Sequence, residues 1–253
     1  MKIKIGYFEK DGIKTQYWLL GKGKPLVFFV GSFSSPIDYS WLLKKLGQKF
    51  TVLAPAVPPF GQSDLPPQDW DFGNYADYFR SLINQTGLSR PYLAGYSFGG
   101  GIAANIAAQD KTIPGLILIN SVGLPIKYPL IKGLFLLARM NFKKISSSKN
   151  RKKGIKRAGN FFIFVFKNTF RLKATWFLVR NTLGKDYNDL LNEIETPTLI
   201  IWSRDDEVLP VSSAYKLQKH IKGSHLQLVS GGHDWAFYYP EKLLDLITKF
   251  LAS

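Results

Sequence analysis

Cysteine is absent from the 253 residues, which excludes a disulfide framework, a thiol nucleophile and any thiolate metal site. Histidine occurs three times and methionine twice, so any imidazole chemistry has few carriers. No stretch approaches the roughly 18 uncharged apolar residues that a membrane-spanning helix needs. The start, Met1-Lys2-Ile3-Lys4-Ile5-Gly6-Tyr7-Phe8-Glu9, has no apolar core of a secretory leader. The expectation is a chain without signal peptide or membrane span. The lack of cysteine suits a reducing, cytoplasmic compartment. Acidic residues are also few, 18 against 34 Lys and Arg, for a net charge of +16, unusual for an enzyme.

What is present is ordinary for a folded chain, 45% apolar and 15% aromatic residues. The length suits one α/β domain, or one carrying an insertion. Lys2-Ile3-Lys4-Ile5 alternates as a half-buried strand, and Asp11-Gly12 is a hairpin turn into Lys14 to Leu20. Leu26 to Val30 runs apolar without alternation, as a parallel strand buried on both faces does. Gly115 to Asn120 reads as another buried strand, and strand pattern resumes from Thr196 to Trp202. Between and after them, helical spacing is read over Trp41–Leu46, Tyr75–Asn84, Ser212–Lys219 and Glu241–Phe250, with further strands at Phe50–Ala54 and His225–Val229. This alternation predicts an α/β fold with a mostly parallel, doubly wound sheet. From Leu124 to about Asn192 no such strand appears, and apolar residues fall at helical spacing.

The stretch around which this organisation turns is Tyr92-Leu93-Ala94-Gly95-Tyr96-Ser97-Phe98-Gly99-Gly100-Gly101. A short apolar run ends in Gly-x-Ser-x-Gly and passes at once into a small-residue helix. That is the sequence form of a nucleophile elbow, a strained strand-to-helix turn with serine at its apex. Gly95 and Gly99 are expected to crowd each other too closely for side chains. A serine hydroxyl needs a base to take its proton. His220 ends a helix and His225 begins a strand, whereas His233 follows two glycines in a loop beyond the last strand. A carboxylate must then orient the imidazole, and Asp205 and Asp206 both follow the Trp202 strand.

Together, Pro58-Pro59-Phe60-Gly61-Gln62-Ser63-Asp64, Gly95-Tyr96-Ser97-Phe98-Gly99, Trp202 through Pro210 and Gly231-Gly232-His233 resemble the α/β-hydrolase superfamily, in the family's order. The resemblance implies an α/β-hydrolase fold with an eight-stranded sheet. It implies Ser97 as nucleophile and His233 as base. It selects Asp206 as the triad acid, since in that family the acid stands four residues before the proline of this loop. Its oxyanion hole would be the backbone N–H groups of Phe98 and Ser32. The family's usual His-Gly-x loop is here Val30-Gly31-Ser32, so the donor position remains but the histidine does not. Phe33 and Trp235 are candidates for contacting the substrate. Residues 1–123 and 193–253 would form the core domain, and 124–192 a helical cap. No metal or organic cofactor is implied. The resulting expectation is a serine hydrolase acting on an ester or related acyl bond of a small or medium apolar substrate. The alternative within the family is C–C hydrolysis of a ring-cleavage diketone with the same triad. A rival of another class is a non-catalytic fold relative that docks on anionic surfaces.

The charge belongs to the expected cap. Between Lys127 and Lys185 there are 16 Lys and Arg and no Asp or Glu, so the rest of the chain is balanced. The cluster from Lys149 to Arg157 lies beside Phe161-Phe162-Ile163-Phe164-Val165-Phe166. Such a run is most simply a solvated loop. Its sharper reading is peripheral contact with an anionic surface, whether a membrane's lipid headgroups or nucleic acid. Nothing resembles a nucleic-acid-binding motif.

Overall fold

The uninterrupted apolar runs become the centre of one eight-stranded sheet, in the order β1-β2-β4-β3-β5-β6-β7-β8. The computed structural model describes residues 2–67, 70–124, 155, 159 and 187–252. The strands are β1 (Ile3–Lys10), β2 (Ile13–Gly21), β3 (Lys24–Phe29), β4 (Phe50–Pro55), β5 (Tyr92–Tyr96), β6 (Leu116–Ile119), β7 (Thr198–Ser203) and β8 (His225–Val229). β1 pairs with β2 and β2 with β4 in antiparallel fashion, and every other pair is parallel. Every residue of β6 and β7 is buried, because helices cover both faces of a parallel sheet. At the edges, β8 alternates between exposed and less exposed positions from His225 to Leu228, whereas β1 does so only from Ile5 onward. Ile5 is exposed rather than turned inward as the Lys2-to-Ile5 alternation predicts, because an edge strand is less covered there. Asp11 and Gly12, both at positive φ (52° and 74°), make the tight turn between β1 and β2.

The helices are α1 (Ser40–Leu46), α2 (Phe72–Gln85), α3 (Phe98–Gln109), α4 (Asn188–Asn192), α5 (Val211–His220), α6 (Trp235–Tyr238) and α7 (Pro240–Ala252). They fall into two packed groups, α1 and α6 against α7, and α2, α3, α4 and α5 in series. The helix read from spacing at Tyr75 begins earlier, at Phe72, because Asp71 caps it. The Asp71 carboxylate accepts from the N–H groups of Gly73 (2.8 Å) and Asn74 (3.1 Å), and Asn74 Oδ1 accepts from the Asp71 N–H (2.8 Å).

Most of the segment expected as a cap lies outside the described residues. Its last part, 187–192, is described and packs against α2 and α3. The Tyr187 ring sits 5.3 Å from Phe72, and Leu191 is buried.

Candidate active site

The chain leaves β5 at Tyr96 and starts α3 at Phe98, so a single residue, Ser97, makes the turn. It does so at φ 52° and ψ −116°, a conformation that costs on the order of 1–3 kcal/mol for a residue with a side chain. Three backbone hydrogen bonds hold it there. The Ser97 N–H donates to the Ile119 carbonyl (2.9 Å), and the Ser97 carbonyl accepts from Gly100 (3.0 Å) and Val122 (3.2 Å). A Cβ on Gly95 would lie 2.6 Å from the Gly99 carbonyl carbon, the crowding expected from that side. On Gly99 the obstacle is different, the backbone at the end of β3, with the Val30 carbonyl oxygen 2.6 Å away. The elbow thus presses α3 onto β3 as well as onto its own strand.

His233 sits in the loop after β8. Gly231 and Gly232 precede it at φ 125° and 74°, a region open to glycine and strained for other residues. This bend brings the ring over the elbow, with His233 Nε2 3.1 Å from Ser97 Oγ. The Tyr96 hydroxyl anchors the loop from below. It lies 2.8 Å from the His233 carbonyl oxygen and 2.9 Å from Asp234 Oδ1, sharing its one proton between them.

Of the two aspartates after β7, Asp206 meets the histidine, with its Oδ2 2.8 Å from His233 Nδ1. Asp205 is exposed and accepts instead from the Gly231 N–H at 3.2 Å. The other Asp206 oxygen, Oδ1, accepts from the N–H groups of Val208 and Leu209, both at 2.8 Å. A carboxylate offers only acceptors, so the His233 proton resides on Nδ1. Nε2 is then the lone-pair nitrogen, and the Ser97 hydroxyl donates to it. His233, Asp206 and Ser97 are all buried.

Two further residues complete this frame. Asn120, which no motif singles out, closes the apolar run of β6 and donates from Nδ2 to Asp206 Oδ2. Its Oδ1 accepts from the indole N–H of Trp235 at 2.7 Å. The only local signal for Asn120 is a polar residue directly after Leu-Ile-Leu-Ile. Trp235, a candidate for contacting substrate, is instead fully buried in α6, and its one polar atom is given to Asn120. An indole that large, two residues past a buried histidine, packs inward once the glycine turn has brought the loop over the sheet.

Phe98 is the first residue of α3, so its N–H belongs to the first helical turn, which lacks intrahelical acceptors. Ser32 is partly buried in the loop after β3. Phe33, beside it, is half-buried at φ 57°, its ring 5.2 Å from Phe60 in an edge-to-face contact. On the neighbouring loop the Pro58 carbonyl accepts from the Tyr75 hydroxyl at 2.8 Å. Burial raises the Tyr75 pKa well above that of a free tyrosine, so it acts as a permanent donor.

Comparison with known proteins agrees with this architecture. The family model described as the alpha/beta hydrolase family matches residues 26–246. A monoacylglycerol lipase, abhd6-B of Xenopus laevis, is 27% identical and covers 99% of this chain and 83% of its own length. Among solved structures, the enol-lactonase from Burkholderia xenovorans LB400 superposes with a TM-score of 0.83 at 14% identity, covering 98% of this chain and 100% of its own. The 2-hydroxy-6-oxo-6-phenylhexa-2,4-dienoate hydrolase from Rhodococcus sp. strain RHA1 also reaches 0.83, at 17% identity, over 100% of this chain and 99% of its own. With the family model spanning most of the chain, and the sheet order and elbow in place, the protein belongs to the alpha/beta hydrolase family.

Proposed function

We propose that the chain is a serine hydrolase that cleaves an ester or related acyl bond of a small or medium apolar substrate through an acyl-enzyme. The observation that supports this most directly is the unbroken hydrogen-bonded path Ser97–His233–Asp206, with the serine held on the strained apex of the elbow. In the reaction, Ser97 Oγ attacks the acyl carbonyl while His233 Nε2 takes its proton, and Asp206 stabilises the imidazolium that forms. The N–H groups of Phe98 and Ser32 take the developing oxyanion. His233 then returns the proton to the leaving alcohol, and water attacks the acyl-enzyme by the same steps. Phe33, at the mouth of the donor loop, would meet the acyl group. The sequence similarity to a monoacylglycerol lipase favours a carboxylic ester with an apolar chain.

The test is labelling with a fluorophosphonate, which reports an activated serine whatever its natural substrate. Wild-type protein should be labelled and Ser97→Ala should not, with ester turnover lower by on the order of 10³-fold or more. Undiminished labelling of the alanine variant would overturn the assignment. Turnover should rise with pH as His233 loses its charge, because only neutral imidazole can accept the serine proton. Parallel assays of p-nitrophenyl esters and a ring-cleavage diketone separate ester from C–C hydrolysis.

A further inference from the structure

Asn120 and Trp235 stand behind Asp206 in an arrangement that does more than satisfy buried groups. An indole nitrogen is only a donor, so the atom of Asn120 facing it at 2.7 Å must be the amide oxygen. The amide nitrogen then faces Asp206 Oδ2, the same oxygen that receives His233 Nδ1. Asn120 and Trp235 have no exposed surface, and a reversed amide would set nitrogen against a donor with no water to relieve it. Asn120 is itself rooted. It lies at φ 42°, a left-handed conformation that asparagine accepts more readily than most residues. Its N–H continues the ladder to the Ile201 carbonyl at 2.9 Å.

These contacts close a ring. From His233 the path runs to Asp206, to Asn120, to the Trp235 indole, and back along the chain through Asp234 to His233. The backbone donors of Val208 and Leu209 fix only Oδ1, and the direction of Oδ2 is left to Asn120 and His233. We propose that Asn120 and Trp235 are positioning residues for Asp206. In this relay Trp235 sets the orientation of the Asn120 amide, and the amide aims Asp206 Oδ2 at His233. The inference rests on the serine-hydrolase reading for its meaning, but its geometry can be read without turnover.

The experiment uses the full chain and four variants, Asn120→Gly, Asn120→Asp, Trp235→Phe, and Asn120→Gly with Trp235→Phe. Glycine removes the side chain while accepting the positive φ without strain. Two readouts are taken, kcat and KM on a soluble p-nitrophenyl ester, and the titration of His233 followed by NMR on ¹⁵N-histidine-labelled protein. Among the described residues, the other titratable groups around His233 include Glu207, which accepts from its backbone N–H, and Asp234 and Tyr96, which are joined to each other. None of these is altered by the variants.

Asn120→Gly should lower kcat about tenfold or more with KM within about twofold, since misplacing a reacting group by 1 Å can cost on the order of 100-fold. The His233 midpoint should move to higher pH, because Asp206 loses a donor that shares its charge. Asn120→Asp should move it further, a second carboxylate now favouring the imidazolium. Trp235→Phe should lower kcat in the wild-type background and add nothing in the Asn120→Gly background, as members of one relay are not additive. A fall in thermal stability alone, with kcat and the His233 midpoint unchanged in Asn120→Gly, would overturn the proposal. So would equal losses from Trp235→Phe in both backgrounds. Failure of the wild-type protein to label with fluorophosphonate would instead overturn the hydrolase reading, and the His233 titration would still decide the relay.

Discussion

Asp206 is surrounded by four N–H donors, from Val208, Leu209, Asn120 and His233. Such a cage suits a carboxylate and suits nothing that carries a proton or an amine. Asparagine is nearly the same shape, yet its nitrogen must point at a donor whichever way the amide turns. Asp206→Asn should therefore lower kcat by on the order of 10³-fold or more, through both the unpaired contact and the wrong imidazole tautomer. Asp205→Asn keeps an acceptor for the Gly231 N–H at an exposed position and should change kcat by no more than about threefold, as surface changes commonly do. Steady-state kinetics of the two purified variants decide the matter, and equal losses would contradict the assignment of the acid. At this scale the sequence is informative where a short pattern carries the chemistry. Ser97 and His233 can be named from neighbouring glycines. Asn120 cannot, because its meaning lies in a side chain 86 positions away. Trp235 misleads for the same reason, since an aromatic beside a histidine looks identical whether it faces a ligand or the core.

At the scale of elements, the site is made by the ends of strands and the residues just beyond them. Ser97 lies after β5, Asn120 after β6, Asp206 after β7 and His233 after β8. Parallel strands laid side by side bring these four ends to one edge, although the residues span most of the chain. The uninterrupted apolar runs make this sheet legible, since only strands covered on both faces can be so uniformly apolar. Less is legible at the margins. The start of α2 depends on Asp71 and Asn74 exchanging hydrogen bonds, a box that uses Asn where Glu or Gln is the common signal. The four-residue α6 is too short to show any period. Two predictions belong here. Asp71→Ala should destabilise the protein by about 1 kcal/mol and leave kcat unchanged, as the cap lies at the start of α2 and outside the hydrogen-bonded triad. Gly99→Ala should be more harmful, about 1–3 kcal/mol or more, because the obstacle is the backbone of β3 rather than a side chain that could turn away. Urea denaturation of both variants tests the ranking, and a Gly99→Ala protein as stable as wild type would show that the elbow is looser than these contacts imply.

At the scale of the whole molecule the charge is the feature that catalysis leaves unused. The 16 positive residues between Lys127 and Lys185 equal the net charge of the chain, and among the described residues no helix is long and apolar enough to cross a membrane. Neither the proposed triad nor the fold needs so many cations in one segment. Side chains of Lys and Arg near an anionic bilayer contribute about 1 kcal/mol each, decaying within a Debye length of about 8–10 Å. A few of them acting together suffice for reversible attachment, and an apolar ester partitioned into the bilayer would then be close at hand. The protein should accordingly co-sediment with vesicles containing phosphatidylserine at low salt and be released as salt rises to several hundred millimolar. Vesicles of phosphatidylcholine alone should not retain it. Replacing Arg151, Lys152, Lys153, Lys156 and Arg157 with Gln should remove binding while hydrolysis of a small soluble ester continues, because that substrate does not need the surface. Equal retention by both kinds of vesicle, or by neither, would assign the positive charge to solvation only. Binding to DNA of similar strength and salt dependence would show a general affinity for polyanions, without selection for lipid.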